Sequence, residues 1–193
     1  KKETVADYLE GVEWLEEHGF KIRGLVCDGL RGLAQALSHY KVQLCQFHQV
    51  KTVKKYLTSK PKTPAGIELK AIALMLCHTD KESFEGTLEE WYSRWGEYIK
   101  ERSIDCNTGR RFYTHKRVRS AYFSMKRNMK WLWMFYDFPE AYLPNTNNGI
   151  EALFTDLKSK LRVHNGLSKR ARKIFMDEYF HLKAKSLSPK FGR

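Results

Sequence analysis

The sequence predicts an α/β fold interrupted by a long helical stretch, and two observations carry that reading. Residues 4–57 alternate helix, strand, helix, strand and helix, the order of a parallel sheet with crossover helices. From residue 65 to about residue 137 every apolar repeat has a helical period, and two further helical periods follow. The expected organisation is therefore 1–57 as the first part of an α/β core, 58–145 as an all-helical insertion, and 146–193 as the C-terminal helices of the core.

Each element has a local cause. In residues 4–18, Val5, Tyr8, Leu9, Val12 and Leu15 recur at helical spacing, and Gly19 stops the helix. Residues 20–27 (FKIRGLVC) read as a strand ended by Asp28-Gly29. A short helix over 32–37, a second strand over 40–45 (YKVQLC) and a helix over 50–57 follow. The segment 58–64 contains Pro61 and Pro64 and reads as a loop. Helices are expected over 65–77, 80–102 and 114–137, with a break near 103–109. Another loop covers 138–146, and helices cover 148–163 and 168–185. The tail 186–193 is expected to fray. Two strands are too few for an independent sheet. The α/β part therefore reads as incomplete, with its partner strands expected before Lys1, in a longer protein.

Charge narrows the partner. The chain carries 35 Lys+Arg against 22 Asp+Glu, a balance of +13, and 13% aromatic residues. Such a basic, aromatic-rich chain is not a disordered tail, and it suits a polyanion whose counterions Lys and Arg displace. Cys27, Cys45, Cys77 and Cys106 show no small-disulfide spacing, which suits a reducing compartment. No signal peptide is visible, and no apolar run is long enough to span a membrane.

Candidate chemistry begins with two carboxylates. Asp28 ends the first strand, at the sheet edge where α/β proteins build sites. It also fits a turn or a helix N-cap. Glu151 opens a late helix, where Asn148-x-x-Glu151 also fits a capping box. On that helix Ile150, Leu153, Phe154, Leu157 and Leu161 form the apolar stripe. Thr155, Lys158 and Arg162 fall near the Glu151 direction. Carboxylates beside cations can hold a hard cation, Mg²⁺ or Mn²⁺, together with phosphate. Cys45-x-x-His48 has a spacing found in zinc sites. A structural site needs four ligands, and the adjacent Cys77-His78 on a helix would diverge, so zinc is disfavoured.

Cys27-Asp28-Gly29-Leu30-Arg31-Gly32-Leu33, Cys45-Gln46-Phe47-His48 and Thr146-Asn147-Asn148-Gly149-Ile150-Glu151, in that order, resemble the DDE transposases of bacterial insertion sequences and their Mutator-like relatives. The resemblance covers nearly the whole chain. It implies an incomplete ribonuclease H-like core, its first strands absent, with a large all-helical insertion. It also implies metal-dependent DNA cleavage and strand transfer, with Asp28 and Glu151 as the second and third catalytic carboxylates and metal ligands, and with His48 supporting the site. The first catalytic Asp has no counterpart here, so the chain alone is expected to be inactive. The implied partners are double-stranded DNA, as transposon ends and target, and a second copy of the chain. The implied setting is the bacterial cytoplasm at the nucleoid.

The basic helices complete the expected site. No acidic residue occurs from Cys106 to Tyr136. Lys116, Arg117, Arg119, Lys126, Arg127 and Lys130 lie there among Phe112, Tyr113, Tyr122, Phe123, Trp131 and Trp133, a pattern suited to tracking a nucleic-acid backbone. In some related transposases an insertion-domain Trp stacks on a distorted base, which singles out Trp131 and Trp133. A second basic run follows Glu151 and includes Lys158, Arg162, Arg170 and Lys173. Two other readings remain beside this one: a non-catalytic nucleic-acid-binding protein descended from a transposase, and a zinc-stabilised helical module.

Overall fold

In the computed structural model, which describes residues 3–187, Thr4 and Asp7 form a capping box at the start of α1 (Val5–Glu17): each backbone N–H is accepted by the other's side chain. Gly19, at φ +82°, ends the helix. The chain then runs through β1 (Leu25–Cys27), α2 (Leu33–Ala36) and β2 (Val42–Leu44). β1 and β2 pair in parallel, with Leu25 opposite Val42 and Cys27 opposite Leu44. Both strands are shorter than expected, and Phe20 is 58% exposed. Gly24 sets the start of pairing. A Cβ there would lie 2.8 Å from the Lys41 carbonyl, the group that accepts the Leu25 N–H.

The helices follow as α3 (Gln46–Leu57), α4 (Pro64–Met75) and α5 (Lys81–Trp95). Thr63 caps α4, with Pro64 at its first position, and Asp80 caps α5 by accepting the Ser83 N–H at 2.8 Å. Next comes an antiparallel hairpin, β3 (Arg102–Ile104) with β4 (Arg111–Tyr113), and then α6 (Lys116–Leu132) and α7 (Met134–Asp137). The expected all-helical segment is corrected by this hairpin. Its short strands are largely solvent-exposed and carry no apolar period, so only a break near 103–109 is visible in the sequence.

The chain divides into two compact units, one through Asn147 and one from Asn148. Val53 and Leu57 of α3 share one core with Leu69 and Ala73 of α4, Leu88 and Trp91 of α5, and Ala121, Met125 and Leu132 of α6. Trp91 is 2% exposed and donates its indole N–H to the Ala65 carbonyl at 3.1 Å, so its polar edge is satisfied as its rings are buried. Among the described residues the class is mixed and mostly helical, with two small two-stranded sheets.

Two fully buried glutamines join the parallel strands to α6. Gln43 and Gln46 each donate to the Leu132 carbonyl at 3.0 Å, and Gln43 Oε1 accepts the Phe135 N–H at 3.0 Å. Gln46 also exchanges two bonds with Asn145: its N–H donates to the Asn145 carbonyl at 2.9 Å, and Asn145 Nδ2 donates to its side-chain oxygen at 3.1 Å.

The second unit contains α8 (Asn148–Val163) and α9 (Lys169–Leu187). Tyr179 is buried and donates to Asp156 at 2.8 Å, and Lys160 and Lys183 pair with the same carboxylate. These partners, Lys160 first, hold the Asp156 carboxyl down at about 2. Residues 188–193, most of the tail expected to fray, lie outside the described residues.

Two predictions follow from this packing. Replacing Gln43 by Leu strips the Phe135 N–H of its partner, and replacing Gln46 by Leu strips the Asn145 amide. Each change is expected to lower the urea-derived unfolding free energy by about 1–3 kcal/mol. A loss under about 0.5 kcal/mol in both would show that the amides are not needed. The Asp156 carboxyl titrates lower when folded than when unfolded, so its contribution is complete above about pH 4 and disappears as pH falls through about 2. Amide protection in α9, taken relative to the intrinsic exchange rate at each pH, should therefore fall between pH 4 and pH 2. In Asp156→Asn that protection should already be lower at pH 5 and should lose the pH step.

Candidate functional site

Asp28 is the first residue beyond β1, at the C-terminal edge of the parallel pair. Its exposed carboxylate accepts the Leu30 N–H at 3.3 Å, an Asx turn. Gly29 (φ +91°) and Gly32 (φ +86°) turn the loop, and Gly32 is the cap residue of α2. Asp28 therefore caps no helix. It opens into a cleft of about 820 Å³ walled by its own loop, α2, α3 and α6. Three cations, Arg31, Arg127 and Lys130, line that cleft, and Asp28 is the carboxylate among its lining residues.

Neutral groups shape the cleft wall. Gln49, on α3 and 4% exposed, donates to Ser124 Oγ at 3.0 Å and accepts from Asn128 Nδ2 at 2.8 Å. This side-chain bridge fixes the register of α3 against α6 beside Arg127 and Lys130. The Lys130 ammonium lies 4.1 Å from the Trp131 ring, and Trp131 also lines the cleft.

Cys45 lines the same cleft at the N-terminus of α3. Its sulfur accepts the Asn147 N–H at 3.4 Å, and its own N–H donates to the Cys27 carbonyl at 2.8 Å. His48, half-buried in the first turn of α3, does not line the cleft. The structure thus brings Asp28 together with Cys45, Arg127, Lys130 and Trp131, and leaves His48 outside that group. Glu151 lies in the first turn of α8, half-buried, in the second unit. Asn148 is the first residue of that helix rather than the residue before it, so the capping box expected from the sequence is displaced. Lys158 and Arg162 of α8 and Arg170 and Lys173 of α9 are exposed.

The remaining cations of α6 divide by environment. Lys116 and Arg117 line a separate cavity of about 380 Å³ with Lys60 and Lys62. Arg119 is half-buried, its guanidinium 3.9 Å from the Tyr113 ring and 4.4 Å from Phe123. Lys126 pairs with Glu89 at 3.6 Å. Trp133 is corrected: it is 0% exposed and packs against Phe84 and Phe135, so it offers no face to a base. Its backbone leaves the helical path at φ −124°, which turns the indole into the core.

Arg31, Gln49 and Asn128 were not singled out in the sequence. Arg31 had a signal, since it stands between two glycines directly after the carboxylate. Gln49 had none, because a polar side chain on a helix reads as solvent-facing. Among the described residues no group of three or more His, Cys, Asp or Glu converges as a metal-ligand set. Asp28 alone supplies one hard oxygen donor at an open position, which is the kind of ligand Mg²⁺ takes alongside water and substrate phosphates. No described helix is long and apolar enough to cross a membrane. Comparison with protein-family models, with curated proteins and with solved structures gives no match.

Thiol accessibility tests the cleft wall. Burial pushes the Cys27 thiol up to about 11, and Cys45 is 1% exposed, whereas Cys106 is exposed. A thiol-specific reagent at pH 8 should label Cys106 promptly and Cys27 and Cys45 only on addition of denaturant. Rapid labelling of Cys45 in the folded chain would mean that the β2–α3 junction is open.

Proposed function

We propose that this chain is part of the catalytic region of a DDE-type DNA transposase, with a ribonuclease H-like core, that cleaves and rejoins phosphodiester bonds. The carrying observation is the cleft in which Asp28 at the β1 edge is joined by Arg31, Arg127 and Lys130. A carboxylate surrounded by cations needs a guest that brings negative charge, and a nucleic-acid backbone supplies it at regular spacing. In this reading Asp28 and Glu151 would each serve as a ligand for Mg²⁺ or Mn²⁺, and such a metal would supply activation of a water or 3′-hydroxyl and stabilisation of a leaving oxygen. Arg127 and Lys130 bind and orient the phosphate beside Asp28, and the Gln49–Ser124–Asn128 bridge keeps them in register. Lys158, Arg162, Arg170 and Lys173 extend the DNA contact from the second unit, and the protein works on double-stranded DNA at the bacterial nucleoid, as a dimer.

One observation favours a second reading, duplex binding without cleavage. Among the described residues no group of three or more His, Cys, Asp or Glu converges. Chelation with EDTA separates the two, since it removes cleavage and leaves simple charge-driven binding in place.

Asp28→Asn and Glu151→Gln, in the protein with its native flanking sequence and Mg²⁺, are expected to lower the rate of strand cleavage at least about 10²–10³-fold. Duplex affinity should stay within about twofold. Arg127→Ala with Lys130→Ala should do the reverse and weaken duplex binding about tenfold, with a shallower salt dependence. Undiminished cleavage by either carboxylate variant would sink the assignment of that residue.

A further inference from the structure

The β3–β4 hairpin is the part of the first unit with the least structural reason for its composition. None of its residues belongs to the hydrophobic core. Arg102, Ile104, Cys106, Asn107, Thr108, Arg110, Arg111 and Phe112 are all exposed, with Ile104 at 63% and Phe112 at 48%. Yet the loop is tightly built. Asp105 accepts the N–H groups of Asn107 and Thr108, both at 2.9 Å. Gly109, at φ +65°, donates to the Asp105 carbonyl at 2.8 Å. A floppy surface loop needs none of these bonds.

The base is fixed as firmly. The Thr114 N–H donates to the Glu101 carbonyl at 3.0 Å, and Ser103 and Thr114 hydroxyls bond at 2.7 Å. Tyr113 lies between two guanidiniums, Arg102 at 4.8 Å and Arg119 at 3.9 Å from its ring. Arg102 also donates to its hydroxyl at 3.0 Å. The hairpin is thereby tied to α6, the helix that carries Arg127 and Lys130. Cross-strand pairing puts Arg102 beside Tyr113 and Ile104 beside Arg111 on one face.

Charge selects the partner. Both carboxylates of this segment are already engaged, Glu101 with His115 at 2.8 Å and Asp105 with its own loop. Arg111 stands opposite Ile104, and Arg110 stands opposite Asp105, whose carboxylate is taken up by its own loop, so both guanidiniums at the exposed end are left for a partner. A two-stranded antiparallel ribbon, its strands about 4.8 Å apart, fits the major groove of B-form DNA, about 12 Å wide. We propose that the β3–β4 hairpin is a DNA-reading ribbon that enters the major groove, with Arg110 and Arg111 on phosphates or guanine edges and Ile104, on the same face as Arg111, against thymine methyls. This inference rests on the reading of the chain as a DNA-processing protein, and it assigns that protein a contact outside the Asp28 cleft.

Cys106, exposed at the loop, supplies the test. The protein is incubated with duplexes carrying a disulfide-tethered cytosine in the major groove. A crosslink should form and should vanish in Cys106→Ser. Arg110→Ala with Arg111→Ala should lower duplex affinity about tenfold and reduce the salt slope by about 2, with an unchanged circular dichroism spectrum. Duplex binding without a Cys106-dependent crosslink, or with affinity within twofold in the arginine variant, overturns the hairpin assignment and leaves the Asp28 cleft standing. Equal retention of an A-form RNA duplex also overturns it, because that major groove is too narrow to enter. A parent protein that binds no duplex overturns both readings.

Discussion

The amides of Gln43 and Gln46 hold the strand part of the first unit to its helical part. A pair of three-residue strands has too little surface to persist alone, and all three residues of β2 are buried. α6 ends at Leu132, which leaves a backbone carbonyl without an intrahelical partner. Both glutamine side chains fill that vacancy, and Gln43 returns its oxygen to the Phe135 N–H. In water each bond is worth only about 1 kcal/mol net. Buried, they act chiefly by excluding other registers, since any slip strands several polar groups at once. Arg127 and Lys130 lie within two turns of Leu132, so the clasp that anchors the end of α6 also sets where its cations stand along β1 and β2.

The cleft is therefore electrostatically unbalanced by construction. Arg31 comes from the loop after β1, while Arg127 and Lys130 come from α6, and the groups between them are amides already bonded to one another. Gln49, Ser124 and Asn128 cannot neutralise the cations, and Asp28 offsets one of three. Like charges held within a partly enclosed space repel, and that repulsion is relieved only by counterions or by an anionic guest. The same unit carries a second cationic cavity at Lys60, Lys62, Lys116 and Arg117. Aromatic partners hold cations in the cleft and beyond it, with Lys130 of the cleft beside Trp131 and Arg119 between Tyr113 and Phe123. Stacking of this kind restricts the rotamers of these long side chains in advance, which lowers the entropy cost of any contact they make.

Sequence pattern revealed the elements whose burial follows a period and hid those whose burial does not. α8 spans residues 148–163 as its apolar stripe predicts, and α1 differs from expectation by one residue at each end. α3 begins at Gln46, four residues before its expected start, because its first buried positions are Gln46 and Gln49. Polar side chains at buried positions erase the apolar period that marks a helix. Trp133 misled in the opposite sense. It continues a basic–aromatic run, but the helix stops one residue earlier, and the ring follows the broken backbone inward. The hairpin escaped notice because Arg102, Ile104, Arg111 and Phe112 are all exposed, and alternation is readable only where one face is buried. Asp28 was legible as a strand-end carboxylate. Its cationic neighbours on α6 were legible as a basic run, but their meeting with Asp28 was not, since it depends on side-chain hydrogen bonds between residues more than seventy positions apart.

Cys45 shows how a short motif can be right about position and silent about role. The Cys-x-x-His spacing directs attention to paired metal ligands, but Cys45 is the residue that ends β2 and begins α3, and it makes two backbone connections there. Its N–H joins the carbonyl of Cys27, beside Asp28, and its sulfur receives the N–H of Asn147, the residue before α8. Gln46 adds two bonds to Asn145 in the same loop. Three segments far apart in sequence, at residues 27–28, 45–46 and 145–147, therefore converge within the first unit. A thiol suits that place because it is small and apolar enough to be 1% exposed and still accepts one weak hydrogen bond. The motif's cysteine is thus explained by convergence of the backbone.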